Sequence, residues 1–151
     1  MHLSAKADYA VRAAVHLAGS PDRLVKGDTI AQAQDIPFPF LGAILRDLRE
    51  AGIVRSQRGA DGGYWLARPA GEITVAEVIR AIDGPLAWVR GVRPEELEYA
   101  GAARALQDVW IAVRANLREV LEAVTLADVA AGRLPDAVRA LAAEPSAWEP
   151  H

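Results

Sequence analysis

The chain has 151 residues, 52% of them apolar, a net charge of −3 and no cysteine. That apolar share supports a packed core and excludes disorder of the whole chain, and no apolar run approaches the ~20 residues of a membrane-spanning helix. The missing thiols exclude disulfides, thiolate nucleophiles and thiolate-held metals.

The charge is unevenly spread. Residues 1–69 hold nine Lys/Arg against seven Asp/Glu, and residues 70–151 hold eight against thirteen. A local basic field matters more for meeting phosphate than the total does, so the first half is where a nucleic-acid surface is expected.

Ser4 is placed to cap a helix running to about Ala18. Its apolar residues lie on more than one face (Tyr9, Ala13 and Leu17; Val11 and Val15), the mark of a buried helix. Lys6 and Asp8 interrupt the stretch, so it reads as structure rather than as a signal peptide, and the expected location is the cytoplasm. Asp8, Arg12 and His16 form a polar stripe at i, i+4, i+8, read as an ion pair beside a satisfied histidine. Asp8 and His16 stand about 12 Å apart along the axis, too far to share a metal ion.

Gly19–Lys26 is a turn region. Asp28 or Thr29 is expected to cap a short helix over 30–34, broken by Asp35-Ile36-Pro37, because a residue before proline avoids helical angles. The next helix starts near Pro39 and stops at Gly52. Leu41, Ile44, Leu45 and Leu48 give it one buried face. Gly42, Ala43, Arg46, Arg49 and Glu50 point the other way. Short helix, tight turn and amphipathic helix make a helix-turn-helix pattern.

Residues 53–67, IVRSQRGADGGYWLA, place two β-branched or aromatic runs around a polar tip with Arg58, Gly59, Gly62 and Gly63. The glycines are read as allowing a tight hairpin and close backbone approach to phosphate. A basic, glycine-tipped ribbon after such a helix has the form of a wing. Thr74 and Glu77 make a capping box for a helix with Val75, Val78, Ile79 and Ile82, ended by Asp83-Gly84-Pro85. Residues 86–101 are poorly periodic, with Trp88, Pro94 and the acidic Glu95, Glu96 and Glu98.

The longest helix is expected over about 102–124. Leu106, Val109, Trp110, Val113, Leu117, Val120, Leu121 and Val124 form a seam stepping by threes and fours. A second copy of the chain would cover it; packing against the chain's own first helix is the competing reading. A short helix follows at 125–131, and the tail from Glu144 is expected to fray. The resulting division is 1–87 for a winged helix-turn-helix domain, 88–101 for a loop, 102–143 for dimerisation helices and 144–151 for a flexible tail.

Three segments carry a family resemblance: LSAKADYAVRAAVHLA at 3–18, IPFPFLGAILRDLREAGIVRSQRGADGGYWLARP at 36–69, and IDGPLA at 82–87. Together they resemble the Rrf-two family of bacterial winged-helix regulators, which includes an iron–sulfur biogenesis regulator, a nitric-oxide-sensing repressor and a cysteine-metabolism regulator. ALQDVW at 105–110 and the long helix fit more loosely. The resemblance implies a mainly α fold with a small β-hairpin, a winged helix-turn-helix plus a long dimerisation helix. It also implies a homodimeric repressor on a partly palindromic double-stranded DNA operator. The 39–51 helix would enter the major groove and the wing would follow the minor groove, with Arg58 reaching in, drawn by the negative potential of a narrow groove. Lys6, Thr29, Arg46, Arg49 and Arg55 are candidate phosphate contacts.

Two departures qualify the resemblance. Gly42 and Ala43 stand where some relatives carry base-reading polar groups, so sequence preference is expected to rest on contact of Phe40 or Ala43 with thymine methyls and on DNA shape, with Pro39 a further candidate DNA contact. Cluster-binding relatives use cysteines in the loop before the long helix, where this chain has 92–101 and no thiol. Clusters need cysteine thiolates, and Asp8 alone cannot replace them, so no iron–sulfur cofactor and no metal site are expected. Trp88, Tyr99 and Trp110 could line a pocket for a small apolar effector or serve as ordinary core and interface aromatics.

An enzyme is not expected. His2, His16 and His151 fall in no metal or catalytic spacing, and no serine has a G-x-S-x-G context. GADGG joins two strands and lacks the Lys-Ser/Thr of a phosphate loop. The alternative function is a winged-helix protein–protein module that does not bind DNA, favoured by Gly42, Ala43 and the acidic net charge.

Overall fold

The computed structural model describes residues 2–150. The Ser4 Oγ accepts the Ala7 N–H at 3.0 Å and opens α1 (Ala5–Ala18). The buried positions of α1 are Ala7, Ala10, Ala13, Ala14 and Leu17. Its inner face is therefore mostly alanine, and small side chains let other backbones approach closely. Tyr9, Val11 and Val15 sit only half-buried around that face. Helices α2, α3, α4 and α6 all pack on α1, which makes it the centre of the core.

Helix α2 (Gly27–Gln34) begins at Gly27 rather than at residue 30, and neither Asp28 nor Thr29 is its cap. Lys26 holds the N-cap position without a side-chain cap bond, and Asp28 Oδ1 instead accepts the Thr29 N–H at 2.9 Å inside the first turn. The early start follows from a contact far along the chain. Val25 and Tyr64 exchange backbone hydrogen bonds at 2.9 and 2.8 Å, fixing the chain just before Gly27. Asp35 at φ 50° ends α2. Helix α3 (Phe38–Glu50) carries Pro39 in its first turn and buries Leu41, Ile44, Leu45 and Leu48.

Strands β1 (Val54–Gln57) and β2 (Gly63–Leu66) form an antiparallel hairpin with Val54 opposite Leu66 and Gln57 opposite Gly63. An isolated antiparallel bridge sets Val25 beside Tyr64 of β2. Together α2, α3 and this hairpin form a winged helix, in a chain that is mainly α with one small sheet, as the sequence predicts. Thr74 and Glu77 complete the capping box of α4 (Val75–Asp83).

The loop after α4 is more ordered than its weak periodicity implied. Val89 and Val92 exchange hydrogen bonds of 3.0 Å each around Arg90 at φ 55° and Gly91 at φ 75°. That is a two-residue hairpin with both central residues left-handed. Pro94–Glu96 is a 3-10 turn. Gly101–Ala103 is a separate 3-10 turn starting at a positive-φ glycine, so α5 begins later than 102 and spans Leu106–Ala123.

The structure corrects the far end of that helix. Val124 takes extended backbone after α5, because Thr125 starts a new capping box for α6 (Leu126–Ala130). Its side chain turns inward and is 6% exposed, so Val124 is a core residue and not part of the outward seam. The Val124 carbonyl accepts the Val75 N–H, and the Ile73 carbonyl accepts the Leu126 N–H, both at 2.9 Å. Leu126 is fully buried in the same cluster as Leu17, Ile44 and Ile73. The chain thus returns to the first unit after α5, and a boundary at residue 87 does not hold for this segment. Helix α7 (Asp136–Ala143) follows. The tail, expected to fray, forms a 3-10 turn over Pro145–Trp148, with Trp148 Nε1 donating to the Ala142 carbonyl at 2.6 Å. No helix among the described residues is long and apolar enough to cross a membrane.

Candidate nucleic-acid interface

The buried leucine stripe of α3 fixes what its other face presents. Phe38 and Phe40 are 63% and 59% exposed, large values for phenylalanine. Pro39, Gly42 and Arg46 are exposed beside them and Ala43 is half-buried. A side chain added at Gly42 would meet nothing within 4 Å. This face offers apolar groups near its N-terminus and a guanidinium further on. Asp47 sits among them: Lys6 Nζ bonds its carboxylate at 2.6 Å, and Arg46 Nε lies 3.9 Å away.

A cleft of about 420 Å³ opens between the start of α2 and the wing. Lys26, Arg49 and Arg58 line it, and no carboxylate among the described residues does. Three segments distant in sequence therefore bring cations to one concave surface. The sequence predicts Arg49 and Arg58 at such a surface; it carries no such signal for Lys26, whose place depends on the Val25–Tyr64 pairing. Thr29 and Arg55 are exposed outside the cleft.

The wing glycines divide. Gly59 has φ +104°, which only glycine adopts easily, and stays exposed. Gly62 and Gly63 are buried. A Cβ on Gly62 would stand 2.2 Å from the Gln57 carbonyl oxygen, and one on Gly63 2.8 Å from that of Val25. Their missing side chains serve the wing's own turn and its pairing with Val25, not the approach to phosphate read from the sequence.

Among the aromatics, Trp88 and Trp110 share the lining of a cavity of about 360 Å³ with Pro94, Val113 and Leu117. Tyr99 does not line it. Its hydroxyl accepts the Trp110 Nε1–H at 3.0 Å, with the Arg90 guanidinium 5.9 Å from its ring centre. Along α5, Val109 and Val113 are 48% and 42% exposed, and Leu106, Trp110, Leu117, Val120 and Leu121 are half-buried. An open apolar groove of about 660 Å³ runs over Val109, Val113, Leu117, Val120 and Leu121 to Leu141 of α7.

The polar stripe on α1 is structural. Arg12 pairs with Asp8 at 2.9 Å, donates to the Gln34 carbonyl at 2.6 Å and lies over the Tyr9 ring. Gln34 Nε2 is 3.4 Å from His16 Nδ1.

A family model, Rrf2, described as an iron-dependent transcriptional regulator, matches residues 3–132. The Mycobacterium tuberculosis protein Rv1287 is 54% identical over 150 residues, covering 99% of this chain and 93% of that one. The HTH-type transcriptional regulator CymR of Bacillus subtilis is 34% identical over 133 residues, 86% of this chain and 90% of its own. The structure of CymR, described as the global cysteine regulator of B. subtilis, superposes with a TM-score of 0.75 at 32% identity, covering 87% of this chain and 98% of that one. IscR of T. potens gives 0.70 at 32% identity over 99% and 97%. The iron in the family description invites a test of the donors. Iron–sulfur clusters rest on cysteine thiolates, and this sequence has none. No three His, Asp or Glu side chains gather as a metal site among the described residues. The donor set does not fit such a cluster.

Proposed function

The chain belongs to the Rrf2 family of winged-helix transcriptional regulators, and from that premise we propose that it binds a partly palindromic double-stranded DNA operator as a homodimer and represses transcription there. The observation that carries the reading is the acid-free cleft lined by Lys26, Arg49 and Arg58 beside the outward face of α3. Arg58 enters the minor groove. Lys6, Lys26, Thr29, Arg46, Arg49, Arg55 and the wing backbone at Gly59 meet phosphates, which position the protein without reading bases. Base preference comes from Pro39, Phe40 and Ala43 at the start of α3, with Phe38 beside them.

Homodimerisation rests on the apolar groove of α5, since twofold pairing is the usual way such a face is covered. The working state has no iron–sulfur cluster, and it acts in the cytoplasm, where a bacterial operator lies. If a small effector is sensed, the Trp88–Trp110 cavity is the place for it.

The test is a mobility-shift titration on DNA upstream of the chain's own coding region, at several salt concentrations. Binding should weaken steeply with salt, in proportion to the phosphates neutralised, and Arg58→Ala should weaken it further. An absent or salt-independent shift at micromolar protein would favour the protein-interaction module, for which the exposed Phe38 and Phe40 would then be the docking surface.

A further inference from the structure

A second charged cleft lies away from the wing. It has a volume of about 530 Å³, opens between the end of α4, the turn at 93–95 and α5, and is lined by Arg80, Arg93, Arg114, Arg118, Glu95 and Glu122. That volume is in the usual range for small-molecule sites, ~300–1,000 Å³. Residues 70–151 are acidic overall and hold eight basic residues; four of them converge here. All four are arginines, whose planar fork matches carboxylate and phosphate oxygens in pairs.

The cations outnumber the acids, and the acids hold them in place. Glu122 bonds Arg80 and also Arg118, the latter at 3.1 Å. Glu95 bonds Arg114. Both carboxyls lie below the ordinary glutamate range, Glu122 through Arg80 and then Arg118, and Glu95 through its own backbone N–H and then Arg114. One carboxylate shared between two guanidiniums leaves positive charge uncompensated. Arg93 sits exposed at the rim. Side chains already held in one geometry lose less entropy when a ligand arrives.

We infer that this cleft binds a small molecule carrying two or more negative charges, a polycarboxylate or a phosphate compound. The site draws on α4, the loop and α5, so an occupant ties the long helix to the core. Arg114, Arg118 and Glu122 recur every four residues on the flank of α5 that meets α4, apart from the exposed Val109–Val113 face. A second copy seated on that face leaves the cleft open. The inference does not depend on DNA binding.

Calorimetric titration of the full chain with citrate, and separately with inorganic pyrophosphate, tests it at an ionic strength held by sodium chloride. The expected result is saturable binding of at least one of the two, one site per chain. Arg93→Ala and Arg118→Ala should each weaken it by about tenfold or more, and Arg58→Ala in the other basic cleft should leave it intact. Citrate alone binding would identify a polycarboxylate site; pyrophosphate alone, a phosphate site. Arg93 is exposed, so its loss spares the fold even if Arg118→Ala does not. No saturable heat with either probe, binding indifferent to Arg93→Ala, or binding abolished by Arg58→Ala would overturn the inference.

Discussion

Lys6 Nζ lies 2.6 Å from Asp47 Oδ2, joining the start of α1 to the outward face of α3. The pair puts a carboxylate among the groups proposed to face phosphates and occupies one of the candidate cations. Replacing Asp47 by asparagine removes a like charge and frees Lys6. Exposed pairs of this kind are worth ~0.2–1 kcal/mol, so Asp47→Asn should tighten operator binding by roughly two- to fivefold at low salt and steepen its salt dependence. Mobility-shift titrations of both proteins at matched salt check this; an unchanged affinity would mean that Asp47 does not face the duplex.

The glycines of α3 and the wing make opposite predictions for one substitution. A Cβ at Gly63 meets the Val25 backbone, its oxygen at 2.8 Å and its nitrogen at 3.0 Å, and backbone held by two hydrogen bonds cannot step aside. Gly63→Ala should cost about 1–3 kcal/mol, lowering Tm by roughly 2–4 °C per kcal/mol for a chain of this size. At Gly42 the new methyl enters open space in a helix interior, where alanine is better than glycine by about 0.5–1 kcal/mol. Thermal melts of the two variants should therefore move in opposite directions.

Several local features were legible in the sequence. The Thr74–Glu77 box, the helix break at Asp35-Ile36-Pro37 and the leucine stripe of α3 depend on residues within a few positions of each other, and each stands in the structure. Apart from the local Val89–Val92 hairpin, what escaped depends on distant partners. Lys26 enters the cleft because Val25 pairs with Tyr64, and Val124 leaves the seam because Thr125 starts a new helix that packs on α1. In the sequence Gly63 looks open to an outside phosphate, whereas its neighbour in the fold is Val25. Periodicity also carried the long helix one residue too far: it reports which side chains are apolar, not where the backbone turns. The Arg80–Glu122 cluster joins residues 42 apart and left no local trace.

Glu77 gives a pH prediction. Burial pushes its carboxyl up, but the Arg68 guanidinium, bonded at 2.6 Å, and the Thr74 N–H outweigh that and leave it below the ordinary glutamate value of 4.5. A folded-state value lower than the unfolded one means the contribution is fully present above 4.5 and disappears as pH falls through the lowered value. Glu77→Ala also removes one arm of the capping box, at a cost of about 1 kcal/mol. Near neutral pH the variant should melt below the wild type, and the gap should narrow as the solution is acidified below 4.5. A constant gap across that range would show that the charge contributes nothing.

Leu117 lies midway along the apolar groove of α5, half-buried by its own chain. Leu117→Glu would place a carboxylate on the face proposed to meet a second copy, where an unpaired buried charge is strongly unfavourable. Sedimentation should find the variant monomeric, or dimeric only at much higher concentration, with its helical content kept. A wild-type dimer that tolerates the charge would place the dimer contact elsewhere.

Phe38 and Phe40 bear on how the proposed operator would be read. The first two turns of α3 expose Phe38, Pro39, Phe40, Gly42 and part of Ala43, and none of these side chains has a hydrogen-bonding group. In the major groove the one apolar feature of a base edge is the thymine methyl. Replacing operator thymines one at a time by uracil removes that methyl and leaves base pairing unchanged. At positions under α3 this should weaken binding by about 1 kcal/mol each, near the low end of what a mismatched contact costs. In Phe40→Ala, binding to the normal operator should be weaker and the uracil penalty smaller, because the contact is already gone. Equal binding of thymine and uracil operators by the wild type would leave DNA binding standing and rule out methyl contacts as its source of sequence preference.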